Sequence, residues 1–307
     1  MTVVCIGEMM AELLLDNDGT ARMGFGGDTF NTAAYLSRLG QPTSYLTVFG
    51  DDPWSFEARM LVAAEGVDDS ASPVAAGRTL GLYAIRTSAG GERDFTYWRE
   101  AAPARGLFGD FFSDRVAQAV LSAKVIYLSG ITLWLYDAAS LDRLFGLLKN
   151  ARALGAKIAF DGNYRSRLWG PDPAQARRVY ARMLALTDIC LATFDDEEML
   201  WGDEEPAASY RRLITMGASE VVVKCGPDGA MIASTRSIPT RRNTGPVDTT
   251  AAGDSFNAAY LTARLLGQDQ ALAAQAGNRL AGQVIAHRGA LIPRRVMDWA
   301  AIWDKQQ

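Results

Sequence analysis

A carboxylate at the mouth of a helix, behind a turn of small residues, can accept a proton beside a bound anion. Pro246-Val-Asp-Thr-Thr-Ala-Ala-Gly-Asp-Ser-Phe-Asn-Ala-Ala-Tyr has this form. Ala251, Ala252 and Gly253 leave backbone N–H groups unobstructed, and a helix start adds roughly half a positive charge, so the turn suits a phosphate. Asp254 follows as a candidate general base, although a lone Asp there is also an ordinary N-cap. A second glycine-marked turn, Gly24-Phe-Gly-Gly-Asp-Thr-Phe-Asn31, precedes another helical run. A third stretch, Glu220-Val-Val-Val-Lys-Cys-Gly-Pro-Asp-Gly229, is a strand that ends in a glycine turn.

Two of these segments together carry a family resemblance. Asp248-Thr-Thr-Ala-Ala-Gly-Asp254 resembles the C-terminal signature of the ribokinase-like (pfkB) carbohydrate kinases, and Gly26-Gly27 with Asn31 resembles their N-terminal Gly-Gly-x-x-x-Asn. The resemblance implies that Asp254 takes the proton of a sugar hydroxyl while the amides of Ala251, Ala252 and Gly253 stabilise the transferring phosphoryl group. It also implies that Gly27 and Asn31 meet sugar hydroxyls. Ala251 stands where many members have Gly, which an unstrained backbone would tolerate. Lys224, Gly226 and Gly229 become nucleotide-site candidates, joined by Asn278 on a late helix and by Asn163. Thr193-Phe-Asp195-Asp-Glu-Glu198 resembles the family's Asn-x-x-Glu and makes Glu198 an indirect Mg²⁺ residue. Acidic residues also favour a helix's first turn without any metal. ATP and Mg²⁺ are the implied cofactors, with room for a monovalent cation.

Three further stretches resemble the branch that phosphorylates 2-keto-3-deoxygluconate. They are Phe95-Thr-Tyr97-Trp98-Arg99, Phe160-Asp-Gly-Asn163-Tyr164-Arg165, and Arg288-Gly-Ala-Leu-Ile-Pro293. The implied reaction is ATP-dependent phosphorylation of that sugar acid at its 6-hydroxyl, with Tyr97, Arg99 and Arg165 binding the substrate. Guanidinium groups suit a carboxylate because they give two parallel charge-assisted hydrogen bonds. Arg165 is equally suited to nucleotide phosphates, and Tyr83 is a further pocket candidate. The alternatives are a fructose, ribose or nucleoside kinase of the same family, or a sugar-binding protein without catalysis, against which the intact Gly253-Asp254 argues. A dinucleotide oxidoreductase is disfavoured, since Val4-Cys-Ile-Gly7 lacks the following Gly-x-x-Gly; no Walker-type Gly-x-x-x-x-Gly-Lys is present either.

The elements that must place these residues are read from periodicity. Short β-branched runs (Val3–Ile6, Tyr45–Val48, Val125–Leu128, Lys157–Phe160, Ile189–Ala192, Val221–Lys224) alternate with amphipathic runs (Asn31–Leu39, Phe56–Ala64, Leu141–Leu154, Ala174–Leu186). This predicts an α/β fold with a mainly parallel central sheet and helices on both faces. Thr79–Arg86 and Arg93–Arg99 flank Ser-Ala-Gly-Gly-Glu as a hairpin and, with Glu12–Leu15 and Arg22–Phe25, predict a small separate sheet. The expectation is one ribokinase-like domain over 1–307 with a discontinuous β lid formed by about 11–26 and 78–100. Exposed lid strands make a homo-oligomer through the lid an expected partner arrangement.

With 307 residues, 49% of them hydrophobic, the chain can bury a large core. A net charge of -4 gives no attraction to nucleic acid, and Glu8 and Glu12 interrupt the first apolar stretch, so neither a signal peptide nor a membrane span is expected. Three cysteines beside strand-like runs predict buried thiols and a cytoplasmic setting. A single histidine, His287, excludes a multi-His metal site.

Overall fold

The computed structural model describes residues 2–15, 19–87, 93–241 and 245–303. Six parallel strands, almost wholly buried, form the body: Val3–Ile6, Thr43–Leu46, Val125–Ser129, Lys157–Asp161, Ile189–Thr193 and Glu220–Lys224. Two antiparallel strands, Ala230–Ala233 and Arg236–Ile238, extend the sheet past Glu220–Lys224, while Thr43–Leu46 forms the other edge. These two were not foreseen, being too short to show a period.

Side-chain alternation explains why the sheet needs cover on both sides. Val3, Cys5, Tyr127, Ala159 and Val222 pack with the helices Asp28–Arg38, Ala252–Leu265 and Gln270–Val284. Val4, Ile6, Leu128, Phe160 and Val221 pack on the other face with Asp114–Leu121, Ala138–Ala153 and Ala174–Leu184. Capping residues set where some of these helices begin. Asp137 and Asp269 accept from the N–H groups of Ser140 and Leu272, contacts worth about 1 kcal/mol each in exposed helices.

A separate four-stranded sheet has the order Ala21–Gly26, Met10–Leu15, Gly81–Thr87, Arg93–Trp98. Met10–Leu15 pairs antiparallel with Ala21–Gly26 and parallel with Gly81–Thr87. The turn expected at 88–92 lies outside the described residues. In the large sheet, the parallel register sets Ser129 beside Asp161 and Thr193 beside Lys224, all at carboxyl ends of strands. Open α/β sheets bind ligands at that edge, where strands hand over to loops and helix starts.

Candidate active site

Asp254 lies in the first turn of Ala252–Leu265, and its helix packs on Asp28–Arg38. That packing brings Asn31 Nδ2 within 2.8 Å of Asp254 Oδ2, and Thr32 Oγ1 donates to the Asp254 carbonyl at 3.3 Å. Gly27, at the start of Asp28–Arg38, lies close against Glu8: a Cβ there would stand 2.2 Å from the Glu8 carbonyl oxygen. Asn31 therefore touches the carboxylate expected to act as base, whereas the sequence placed it only at the sugar.

Burial pushes the Asp254 carboxyl up to about 8; neighbouring Asp28 and Asp161 add to the rise, while the Asn31 hydrogen bond and Lys224 oppose it. A base must be ionised to accept a proton, so activity is lost as pH falls through this value. The kcat/KM of the free enzyme is expected to rise about tenfold per pH unit and to level off above about pH 8. A profile flat from about pH 6 to 9 would remove Asp254 as the titrating base.

The phosphate turn differs from expectation in two ways. Ala251 has φ 60° and ψ 16°, the left-handed region, so this alanine sits in a conformation that favours glycine and costs about 1 kcal/mol. The unstrained backbone assumed for it is absent. The Ala252 N–H is already bonded to Thr249 O at 3.2 Å, which leaves the N–H groups of Ala251 and Gly253 as the turn's donors for an anion among the described residues.

A buried polar network lies behind the turn. Lys224 Nζ donates to Asn257 Oδ1 (3.1 Å) and Asp161 Oδ1 (3.3 Å). Asn257 Nδ2 donates to Asp161 Oδ2 (2.7 Å) and meets the Tyr127 hydroxyl at 3.0 Å, and Thr32 Oγ1 reaches the same hydroxyl at 3.2 Å. Asp28 Oδ2 accepts from Asn163 Nδ2 at 2.7 Å, and Asn163 has a left-handed φ of 36°. Asn163 thus spends one of its two amide donors on Asp28 while lining the cleft. Tyr127, Asp161, Asn257 and Asp28 were not singled out in the sequence.

A cleft of about 740 Å³ joins these groups to the small sheet. It brings together Gly27, Asn31, Tyr83, Tyr97, Arg99, Asn163, Arg165, Lys224, Ala251, Ala252, Gly253 and Asp254, with Glu8, Asp28 and Arg167 beside them. Arg99 is buried, ion-paired to Glu8 and stacked over Trp134 at 5.0 Å and Tyr97 at 5.9 Å. Burial raises the Glu8 carboxyl above its usual range even with Arg99 beside it. Arg165 is the opposite case: half exposed, it meets Asp196 at 3.3 Å. Tyr83 donates to Glu12 across neighbouring strands.

Four candidates fall outside this cleft. Glu198 is exposed, and the carboxylates that reach the cleft from its helix are Asp195 and Asp196. Each helical residue turns the side chain by about 100°, so position 198 lies about 200° round the helix from Asp196. Gly226 and Gly229 shape the connection to the antiparallel strands, where a Cβ on Gly229 would meet Ile238 O at 2.1 Å. Asn278 donates to the carbonyls of Ile238 and Pro239 and ties that edge down. No cluster of three or more potential metal ligands occurs among the described residues.

A small-residue turn at a helix start and a buried carboxylate share one cleft at the carboxyl edge of an α/β sheet, the arrangement expected of a phosphotransferase. Residues 1–296 match the pfkB family carbohydrate kinases, and the chain belongs to that family. It is 41% identical over 305 residues to the 2-dehydro-3-deoxygluconokinase of Dickeya dadantii, covering 96% of this chain and 98% of the relative. The enzyme of the same name from Escherichia coli (strain K12) is 39% identical over 307 residues, with coverage of 96% and 98%. The 2-dehydro-3-deoxygluconokinase structure from Thermotoga maritima superposes with a TM-score of 0.84 at 21% identity, over 98% of both chains, which supports the fold. A ribokinase II from Escherichia coli in complex with ATP and Mg²⁺ has a TM-score of 0.81 at 24% identity, over 94% of each chain.

Proposed function

We propose that this sugar kinase phosphorylates 2-keto-3-deoxy-D-gluconate at its 6-hydroxyl, giving 2-keto-3-deoxy-6-phosphogluconate and ADP. The observation that carries the reading is the cleft itself, where a buried carboxylate at an anion-binding turn faces two arginines suited to a sugar acid. Near-full-length likeness to curated kinases of that substrate supports it. The sugar hydroxyl is placed by Asn31 and the tyrosines, Asp254 receives its proton, and the N–H groups of Ala251 and Gly253 face the phosphoryl oxygens. Bound Mg²⁺ would supply charge neutralisation at the β- and γ-phosphates, held through water by Asp195 or Asp196. A coupled ADP-release assay over sugar acids and neutral sugars tests the reading; turnover of fructose or ribose in preference to the acid would replace it. The same assay with and without K⁺ tests a monovalent-ion requirement.

The four-stranded sheet acts in this reading as a lid, since Tyr83, Tyr97 and Arg99 come from it or its end. Closure would exclude water from phosphoryl transfer. Amide exchange in Gly81–Thr87 and Arg93–Trp98 is expected to slow when substrate saturates the protein; equal exchange with and without it would leave the sheet out of the mechanism. Met23, Tyr97 and Trp98 are exposed on this sheet, which supports pairing of two copies through it. Free thiols at Cys5, Cys190 and Cys225 support a cytosolic setting, and no helix among the described residues is long and apolar enough to cross a membrane.

A further inference from the structure

Lys224 is only 8% exposed, yet it lines the cleft from the end of its strand. Lysine is rarely buried because removing its charge from water is expensive, and an apolar side chain would fill the space at less cost. Its ammonium is directed by Asn257 Oδ1 at 3.1 Å and Asp161 Oδ1 at 3.3 Å. These use two of its three N–H donors. The ammonium also lies against the phosphate turn: a Cβ on Gly253 would stand 3.5 Å from Nζ. Asn257 in turn grips Asp161 Oδ2 at 2.7 Å, so the two residues form one cradle beneath the lysine.

We propose that Lys224 donates its remaining N–H to the transferring phosphoryl group, and that Asn257 and Asp161 are positioning residues that hold the ammonium at the Gly253 turn. The inference rests on the kinase reading above. In the transfer, the sugar hydroxyl oxygen bonds to the γ-phosphorus while the bond from phosphorus to the bridging oxygen breaks. The electron pair of that bond leaves with ADP, and the hydroxyl proton passes to Asp254. Negative charge on the phosphoryl oxygens meets Lys224 Nζ and the turn's N–H groups, donors fixed in place before the reaction begins. The same cation acts on the base. Of the groups that face Asp254, Asp28 from its neighbouring helix and Asp161 from the sheet oppose ionisation, while Asn31 and Lys224 favour it.

Steady-state kinetics of Lys224→Gln tests the proposal, because glutamine keeps amide donors for Asp161 and Asn257 while removing the charge. The wild-type chain is assayed first; absence of turnover on any sugar or sugar acid would defeat the kinase reading itself. Given turnover, Lys224→Gln is expected to stay folded at the assay temperature with a lowered melting temperature, since Asp161 loses its buried partner, and to keep KM for both substrates within about threefold while kcat falls by about 10²-fold. Its kcat/KM limb should move to higher pH, and Lys224→Arg should recover part of kcat. Asn257→Leu should lower kcat in the wild-type background and add little to Lys224→Gln, as expected of a residue that acts through the lysine. A Lys224→Gln variant with kcat within about threefold of wild type and an unmoved limb would reduce the lysine to a counter-charge for Asp161. A raised KM for ATP at unchanged kcat would make it a ground-state nucleotide contact, and equal losses from Asn257→Leu in both backgrounds would end the positioning role.

Discussion

Replacing Asp254 by Asn is expected to lower kcat by about 10²–10⁴-fold, the usual contribution of a general base, while leaving the fold intact. The fold survives because the exchange removes a charge the site disfavours. Burial, Asp28 and Asp161 hold the Asp254 carboxyl up to about 8, so a neutral amide of the same shape is accommodated at least as well. Asn31, whose Nδ2 now donates to Oδ2 at 2.8 Å, can donate equally to the amide oxygen. Stopped or steady-state ADP release, with a thermal melt and an ATP-binding titration alongside, checks all three expectations. Activity within about threefold of wild type would mean that another group takes the proton.

Loss of Arg99 or Arg165 is expected to separate acidic from neutral sugars. A hydrogen bond to a charged group is worth roughly 1.5–3 kcal/mol, or about 10–150-fold in kcat/KM. Arg99→Met and Arg165→Met should each lose on that scale with the sugar acid and far less with a neutral sugar. The two differ in what else they disturb. Arg165 meets the largely buried Asp196 at 3.3 Å while its own side chain is half exposed, so it can turn to a ligand. Arg99 is clamped between Glu8, Trp134 and Tyr97, so its loss leaves the Glu8 carboxyl without its buried partner. Glu8→Gln is the matching control: it keeps Arg99 and should keep the acid preference. An Arg165 variant that instead raised KM for ATP and slowed every sugar alike would assign that residue to the phosphates. Equal losses on acid and neutral sugars in both variants would overturn the carboxylate assignment.

Local features of the site were legible in the sequence, and long-range ones were not. The parallel body followed from alternating runs, because strands buried on both faces must be apolar throughout. Asp254 and Gly27 stood out since a helix start and a close backbone approach leave marks within a few residues. The network of Thr32, Tyr127, Asp161, Lys224 and Asn257 joins five separate segments, and no spacing along the chain signals it. Arg99 was read as a free guanidinium because its partner, Glu8, lies 91 positions away. At Glu198 the motif points to a residue outside the cleft: Asp195 and Asp196 line it, while 198 is exposed. Ala251 shows a further limit, since residue type alone concealed a left-handed backbone.

The pairing of Met10–Leu15 with Gly81–Thr87 bears on the order in which the molecule assembles. Met10 lies opposite Gly81 and Leu15 opposite Arg86, in parallel, and the intervening chain contributes the helices Asp28–Arg38 and Pro53–Ala64 and an edge strand to the α/β body. Closing so long a loop yields no contacts until its ends are already near one another, so such pairings form late. The pairing of Val3–Ile6 with Val125–Ser129 spans a longer separation again, so body and small sheet alike depend on distant segments meeting. By the same measure the contact of Asn31 with Asp254 closes a longer loop still, so proton acceptor and sugar-facing sheet both wait on pairings between distant parts of the chain.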